Sequence, residues 1–383
     1  MDSIAQLLPK TGLFRKIISL IAAISMLVSL VSSLAPEPLP RDEAQNIIFI
    51  IGDGMGENHL ELAKQELGIE LVMETMPLRG QSKTRSSSNA VTDSAAGATA
   101  LACGVRTTNG CIGVYPYDMF GWEAVPYNLT EIAMEKGMNT GVITTDSTTG
   151  ATPAGFSAHT SSRSNAEDIA AQQTASGIDL IWGASNGITT PETAAGSGYE
   201  FIGTRTEMNA IEKGVKSFGQ FNGGELWKAA PADDTPSLTQ MAEKAFSLLD
   251  GEEGFFLMIE GAHIDKHSHS NKTAETAACV QELDNTVKAA LEFAEEDGNT
   301  LVIVTADHET GAVEFVDGRY TFTSGSHSGD NVPLFVYGSS NFIENGQAVK
   351  NKEVSLFAAM SMGVPANEFP KKNCTVWIMN EAA

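Results

Sequence analysis

Four short apolar runs, at residues 47–51, 141–145, 255–259 and 301–305, are nearly unbroken in hydrophobicity and rich in β-branched residues, and each is followed at once by polar residues. A strand covered on both faces reads as a continuous apolar run, so these segments predict strands of a buried parallel sheet. Between them, residues 129–136, 237–249 and 273–294 place apolar positions at helical spacing. Strands alternating with helices predict an α/β fold, doubly wound, with a mostly parallel central sheet and helices on both faces. Ligands of such sheets gather beyond the C-terminal ends of the strands. The polar residues that follow each run are therefore where chemistry is expected. Residues 183–235 interrupt the pattern: they are rich in Gly, Thr, Ala and Pro, weakly periodic, and are expected to form an insertion over one edge of the sheet, as a lid or an interaction surface.

The N-terminal 35 residues do not fit the alternation. Residues 1–16 carry Lys10, Arg15 and Lys16, and residues 17–35 form an uncharged apolar run ending in Ser33-Leu34-Ala35 before Pro36. Small residues at positions 33 and 35 suit a signal peptidase, so a signal peptide cleaved after Ala35 is expected, placing the protein in the periplasm or outside the cell. The run is also just long enough for an uncleaved membrane anchor. The rest of the chain, 36–383, is expected to be one domain, since 383 residues at 42% hydrophobic content suffice for one substantial core.

The formal net charge of −24 argues against nucleic-acid or anionic-membrane binding. Any site for an anionic substrate must then create its own positive field. The four cysteines, Cys103, Cys111, Cys279 and Cys374, allow disulfides in an exported protein; Cys103 with Cys111 could close a small loop, but four cysteines permit three pairings between which sequence does not choose, and buried free thiols are the alternative. Asn128, Asn271 and Asn373 each begin a glycosylation triplet, a pattern too frequent by chance to carry weight.

Candidate chemistry follows the apolar runs. Asp53 sits between Gly52 and Gly54 at the end of the first, where a tight turn directs a carboxylate out of the sheet. Glu260 ends the third run, and Asp265 and His269, four residues apart, share a face if that segment is helical. Asp307 and His308 follow the fourth run, and His327 lies in a Gly-Ser-His-Ser-Gly loop. His59, His159, His263 and His267 are read as surface residues or as groups behind the ligands. Ser94 opens an alanine-rich helix in Thr-Asp-Ser-Ala-Ala-Gly, near backbone N–H groups that suit a phosphoryl group, although either Asp93 or Ser94 would serve as the helix cap. With no Ser-His-Asp order and no Gly-x-Ser-x-Gly elbow, a serine nucleophile here would depend on a metal.

Together these phrases resemble the alkaline phosphatase family, from about Asn46 to the region of Cys374. The resemblance implies one zinc on Asp265, His269 and His327, a second on Asp53, Asp307 and His308 beside Ser94, and a magnesium on Asp53, Thr152 and Glu260. It assigns Arg163, in Ala-His-Thr-Ser-Ser-Arg, to the substrate phosphate. Mixed imidazole and carboxylate sets suit zinc, and an all-oxygen set suits magnesium. The implied activity is hydrolysis of small phosphate monoesters through a phosphoserine, and the implied assembly a homodimer. The rival readings are a phosphodiesterase-type relative and a non-catalytic exported protein that binds metal or phosphate. A sulfatase is disfavoured, because the Cys/Ser-x-Pro-x-Arg sequence is missing.

Two positions depart from the family pattern. Gly150 stands where members often carry Asp or His two residues before the Thr or Ser ligand, so weaker support for the third metal is expected. Only 18 residues separate His308 from His327, fewer than in many relatives, which leaves no room for a large insertion there.

Overall fold

A computed structural model describes residues 43–115, 122–338 and 342–379. The leader expected over residues 1–35 lies outside the described residues. The sheet strands are β1 (Asn46–Gly52), β2 (Leu78–Lys83), β3 (Asn139–Ser147), β4 (Leu180–Ala184), β5 (Glu200–Ile202), β6 (Ser217–Phe221), β7 (Phe255–Gly261), β8 (Thr300–Thr305), β9 (Val332–Tyr337) and β10 (Ala348–Lys350). They hydrogen-bond in the order β10-β2-β9-β8-β1-β7-β3-β4-β6-β5. Only β9 runs against the rest, paired antiparallel with both β2 and β8. The four apolar runs are β1, β3, β7 and β8, side by side at the centre, and the fold is α/β as the alternation predicted.

The helices that cover the sheet are α1 (Glu57–Leu67), α2 (Ser94–Cys103), α3 (Leu129–Glu135), α4 (Ala151–Gly155), α5 (Leu238–Leu249), α6 (His263–Ser268), α7 (Thr273–Asp297) and α8 (Asn351–Ser361). Alternation within β1 explains why both faces need covering. Ile48 and Ile50 join Leu257 and Ile259 in a core closed by α1, α5 and α7. Ile47, Phe49 and Ile51 join Phe256 and Met258 in a second core closed by α2, α3 and α8. Every residue of β1 is buried, which is why it reads as an unbroken apolar run.

Residues 183–235 do not lie over the edge of the sheet; they build it. They contribute β5 and β6 beyond β4, with the helices Pro191–Gly196 and Arg205–Ala210 between the strands. Elements three to six residues long are too short to show a period, so local chemistry defines them instead. Thr190 and Thr204 cap the two helices through reciprocal hydrogen bonds with Thr193 and Glu207.

Of the alternatives the cysteines left open, Cys103 is a free thiol buried in the second core, so it does not pair with Cys111. Burial pushes that thiol well above the ordinary range, as expected of an inert apolar residue. Asn128, first residue of a glycosylation triplet, is buried and caps α3 through Glu131 N, so it is committed to the fold.

Candidate active site

The central strands set the site by their register. Ile51 of β1 lies opposite Glu260 of β7 on one side and Thr305 of β8 on the other. The chain leaving each strand therefore delivers Asp53, Glu260 and Asp307 to the same end of the sheet. Gly54 makes the first exit possible: its φ is +74°, and a Cβ there would stand 2.9 Å from Asp265 Cα.

Ser94 arrives from a different direction, at the first turn of α2. Asp93 is the cap, accepting from Ala96 N at 3.0 Å, which leaves the Ser94 hydroxyl available. All ten residues of α2 are small enough to be buried, and a Cβ at Gly97 would press to 3.0 Å of Asp307. The alanine-rich sequence thus lets the helix carrying Ser94 lie directly against the Asp307-His308 turn. Ser94 Oγ ends 3.1 Å from His308 Nε2.

That imidazole nitrogen is also 3.4 Å from Asp53 Oδ1 and 3.4 Å from Asp307 Oδ2. His327 stacks on His308 with ring centroids 3.6 Å apart, brought back by two short hairpin pairings within the 18-residue connection. A second convergence adjoins the first: His269 Nε2 is 3.1 Å from His327 Nε2, and Asp265 Oδ1 is 3.3 and 3.5 Å from these two nitrogens. Metal-compatible groupings accordingly fall on Asp265, His269 and His327, and on Asp53, Asp265 and His308.

The outward nitrogens define the tautomers. His269 Nδ1 lies 2.8 Å from Gly325 O, and His327 Nδ1 lies 3.1 Å from Thr92 O. His308 Nδ1 lies 3.2 Å from Thr310 Oγ1, whose hydroxyl proton is given to Asp265 Oδ1 at 2.6 Å. With each Nδ1–H donated outward, all three Nε2 lone pairs turn inward towards one another and towards carboxylates. Lone pairs so close repel unless a cation lies among them.

Buried atoms without partners give the same answer. Asp53 Oδ1, Asp307 Oδ2 and Thr152 Oγ1, on residues 7%, 0% and 1% exposed, have no hydrogen-bond partner among the described residues. A buried carboxylate oxygen left unpaired is costly, and each of these belongs to a ligand set expected from sequence. The donor chemistry fits metal ions: imidazole with carboxylate at one end, oxygen alone around Thr152, Asp53 and Glu260 at the other.

Titration behaviour follows from this crowding. Burial, reinforced by the charges of Asp307, Asp265 and Glu260, raises Asp53 well above the carboxylate range. Burial and then the charge of Asp146 push Glu260 up to about 8. For Asp265 burial acts upward too, but hydrogen bonds from His327 in its protonated form and from Thr310 hold it below the carboxylate range. Burial lowers His308, keeping it neutral, the form in which Nε2 serves as a ligand.

A pH-dependent stability follows. A carboxyl raised on folding holds a proton that the unfolded chain has shed, so stability present below its ordinary value is lost as pH rises through its folded value. His59 and His263, lowered to about 4 by burial, act in the opposite sense, but only below the ordinary histidine value of 6.5. The metal-chelated protein should therefore melt at lower temperature at pH 8.5 than at pH 6.5. Glu260→Gln should shrink the drop, the remainder coming from Asp53 and from His327, which hydrogen bonding to Asp265 raises against its burial. Scanning calorimetry of both proteins at the two pH values measures it.

Arg163 stands at the rim. Its backbone N–H donates to Gly110 O at 2.7 Å, fixing the loop, while Nη1 reaches Asp93 Oδ2 at 3.3 Å with the side chain 41% exposed. An ion pair so exposed is worth at most about 1 kcal/mol, so it holds the guanidinium only weakly. Thr152 is the second residue of α4, just beyond β3. Two of the histidines set aside as surface or supporting groups are core residues: His59 is fully buried, held by Gly56 N and Ser268 Oγ, and His159 is tied to Glu131 and Gly113 O. The sequence reading did not single out Thr310 or Thr144. Thr310 joins His308 to Asp265, and the Thr144 hydroxyl donates to Glu260. Thr310 lies only two residues past His308, the one local signal that could have marked it.

A doubly wound sheet beyond whose central strand ends three imidazoles, four carboxylates and a serine at a helix N-terminus gather defines an α/β protein with a candidate metal centre. The alkaline phosphatase family model matches residues 44–181 and 183–322, and the chain belongs to that family. It is 34% identical to alkaline phosphatase 3 of Bacillus subtilis over 74% of this chain and 65% of that protein, slightly less than two thirds of the relative's length. It is 31% identical to the alkaline phosphatase of Escherichia coli over 69% of this chain and 70% of that one. The alkaline phosphatase of the Antarctic bacterium TAB5 superposes with a TM-score of 0.72 at 29% identity, covering 84% of this chain and 99% of that one. A histidine-to-glutamate variant of that enzyme binds magnesium in its M3 site.

Proposed function

We propose that this chain is an exported phosphomonoesterase, cleaving small phosphate monoesters to alcohol and inorganic phosphate through a phosphoserine at Ser94. The observation that carries the reading is the placement of Ser94 Oγ, 3.1 Å from an inward-facing His308 Nε2 that two buried carboxylates flank at 3.4 Å. Asp265, His269 and His327 would hold one zinc ion, Asp53, Asp307 and His308 a second, and Asp53, Thr152 and Glu260 a magnesium ion. Bound there, such ions supply a lowered hydroxyl pKa and neutralisation of charge on the attacking and leaving oxygens. The magnesium found in the Antarctic relative's variant supports the third assignment.

The chain's own residues do the rest. Asp93 takes over capping, so Ser94 Oγ is free to form a bond to phosphorus as the bond to the alcohol oxygen breaks. The N-terminus of α2 and the Arg163 guanidinium face the phosphoryl oxygens, the guanidinium giving two parallel hydrogen bonds to a monoester. Water then attacks the same phosphorus, the Ser94 oxygen departs, and phosphate is released. Uncatalysed monoester hydrolysis is slow enough that enhancements near 10²¹-fold are known, a scale that demands concentrated positive charge in a chain of net charge −24. Residues 1–35 would direct export; among the described residues no helix is long and apolar enough to cross a membrane.

Turnover of p-nitrophenyl phosphate and of bis(p-nitrophenyl) phosphate at mildly alkaline pH tests the reading. Chelated protein should be inactive, and zinc with magnesium should restore turnover selective for the monoester. Full metal occupancy without monoester turnover would overturn it, with diester turnover pointing to a phosphodiesterase.

A further inference from the structure

Position 150 is glycine for a reason of space. Its φ of −55° and ψ of 158° are open to any residue, so no turn requires glycine there. A Cβ at this point, however, would stand 2.6 Å from Asp146 Oδ2 and 2.9 Å from Ser147 O. The carboxylate of Asp146 thus fills the volume that a side chain at position 150 would use, two residues before the Thr152 hydroxyl.

Two contacts tie Asp146 in place. Lys266, on the exposed side of α6 next to Asp265, makes a close ion pair with Asp146 Oδ1. The Asp146 N–H donates to Thr144 Oγ1 at 2.8 Å, and the Thr144 hydroxyl in turn donates to Glu260 Oε2. One run of bonded groups therefore connects Asp146 to Glu260, while the partnerless buried oxygens of Asp53 and Thr152 mark the neighbouring ligand site. Magnesium keeps several waters when protein-bound, and those waters need acceptors behind them.

We infer that Asp146 is the outer carboxylate of the third metal site, accepting hydrogen bonds from the ion's waters at Oδ2 in place of the absent side chain at position 150, while Lys266 pairs with its other oxygen. The inference rests on the proposed magnesium site of Asp53, Thr152 and Glu260. It also reverses the expectation that Gly150 leaves that site weakly supported: the carboxylate is present, from the preceding turn of chain. Asp146 acts through water and is a positioning residue.

The test titrates magnesium chloride calorimetrically into protein stripped of metal and refilled with two equivalents of zinc. Asp146→Asn should weaken magnesium binding about 10- to 100-fold, the usual effect of removing a partner behind a metal ligand. Its zinc content, by elemental analysis, and the melting temperature of its zinc form should match wild type. Lys266→Met breaks the same ion pair but leaves the carboxylate, so magnesium should bind it as tightly as wild type or more tightly. The double variant Asp146→Ser/Gly150→Asp, which moves the carboxylate into the same volume, should recover most of the affinity. Equal magnesium affinity in Asp146→Asn and wild type would overturn the role of Asp146 and leave the magnesium site standing. Equal losses in Asp146→Asn and Lys266→Met would reduce the ion pair to a structural tie and overturn it as well. Wild-type protein that takes up no magnesium would overturn the third site itself, and this inference with it.

Discussion

Ser94→Ala is expected to lower kcat for p-nitrophenyl phosphate by at least about three orders of magnitude, with metal content equal to that of wild type. The hydroxyl is 3.1 Å from His308 Nε2 yet is no part of the scaffold: Asp93 caps α2, and the helix is packed through its alanines. Removing one oxygen should therefore leave the fold and the ligand set in place, so the loss would be chemical. Residual turnover above the uncatalysed rate should persist, because Arg163, the α2 N-terminus and the ions still bind the phosphoryl group while water attacks it directly. The decisive reading is covalent. Acid-quenched wild-type protein should carry a phosphate adduct by intact-mass spectrometry, mapped by digestion to the peptide containing Ser94, and the variant should carry none. An adduct on the variant would place the nucleophile elsewhere.

What the chain disclosed in advance depended on burial. β1, β3, β7 and β8 are covered on both faces, so they read as uninterrupted apolar runs, and the residues just past them could be picked out as candidate ligands before any geometry was known. Asp265 and His269 were placed together by helical spacing alone, and the structure sets them 3.3 Å apart at the C-terminal end of α6. The edge strands β5 and β6 gave no such signal, since elements of three and five residues carry no measurable period. The sequence left His59 and His159 between a surface and a supporting place because it does not show whether a histidine nitrogen has a partner, and both are satisfied inside the core. Asp146 and Thr310 escaped notice because their work lies between elements. Asp146 fills a volume over Gly150, and Thr310 spans His308 and Asp265; both are contacts in space that no periodic pattern of residues encodes.

Asp53→Asn is expected to divide stability from function in opposite directions. Without metal, Asp53 is a buried carboxyl close to Asp307, Asp265 and Glu260, and its Oδ1 has no hydrogen-bond partner among the described residues. An amide of nearly the same shape removes one charge from that cluster and adds donors facing carboxylate oxygens. The metal-free variant should therefore melt above metal-free wild type, most clearly near pH 8.5, where burial and like charge make ionised Asp53 most costly. With metal the order should reverse. Asp53 is assigned to both the second zinc and the magnesium, so the variant should bind fewer than three ions by elemental analysis. It should also gain less melting temperature from zinc and magnesium, since a ligand stabilises only as far as it binds the folded state. Loss of the charge that helps hold the ion beside Ser94 should cost monoester turnover about as much as Ser94→Ala. A metal-free variant less stable than wild type would mean that Asp53 serves the fold, and three retained ions with normal turnover would remove it from both sites.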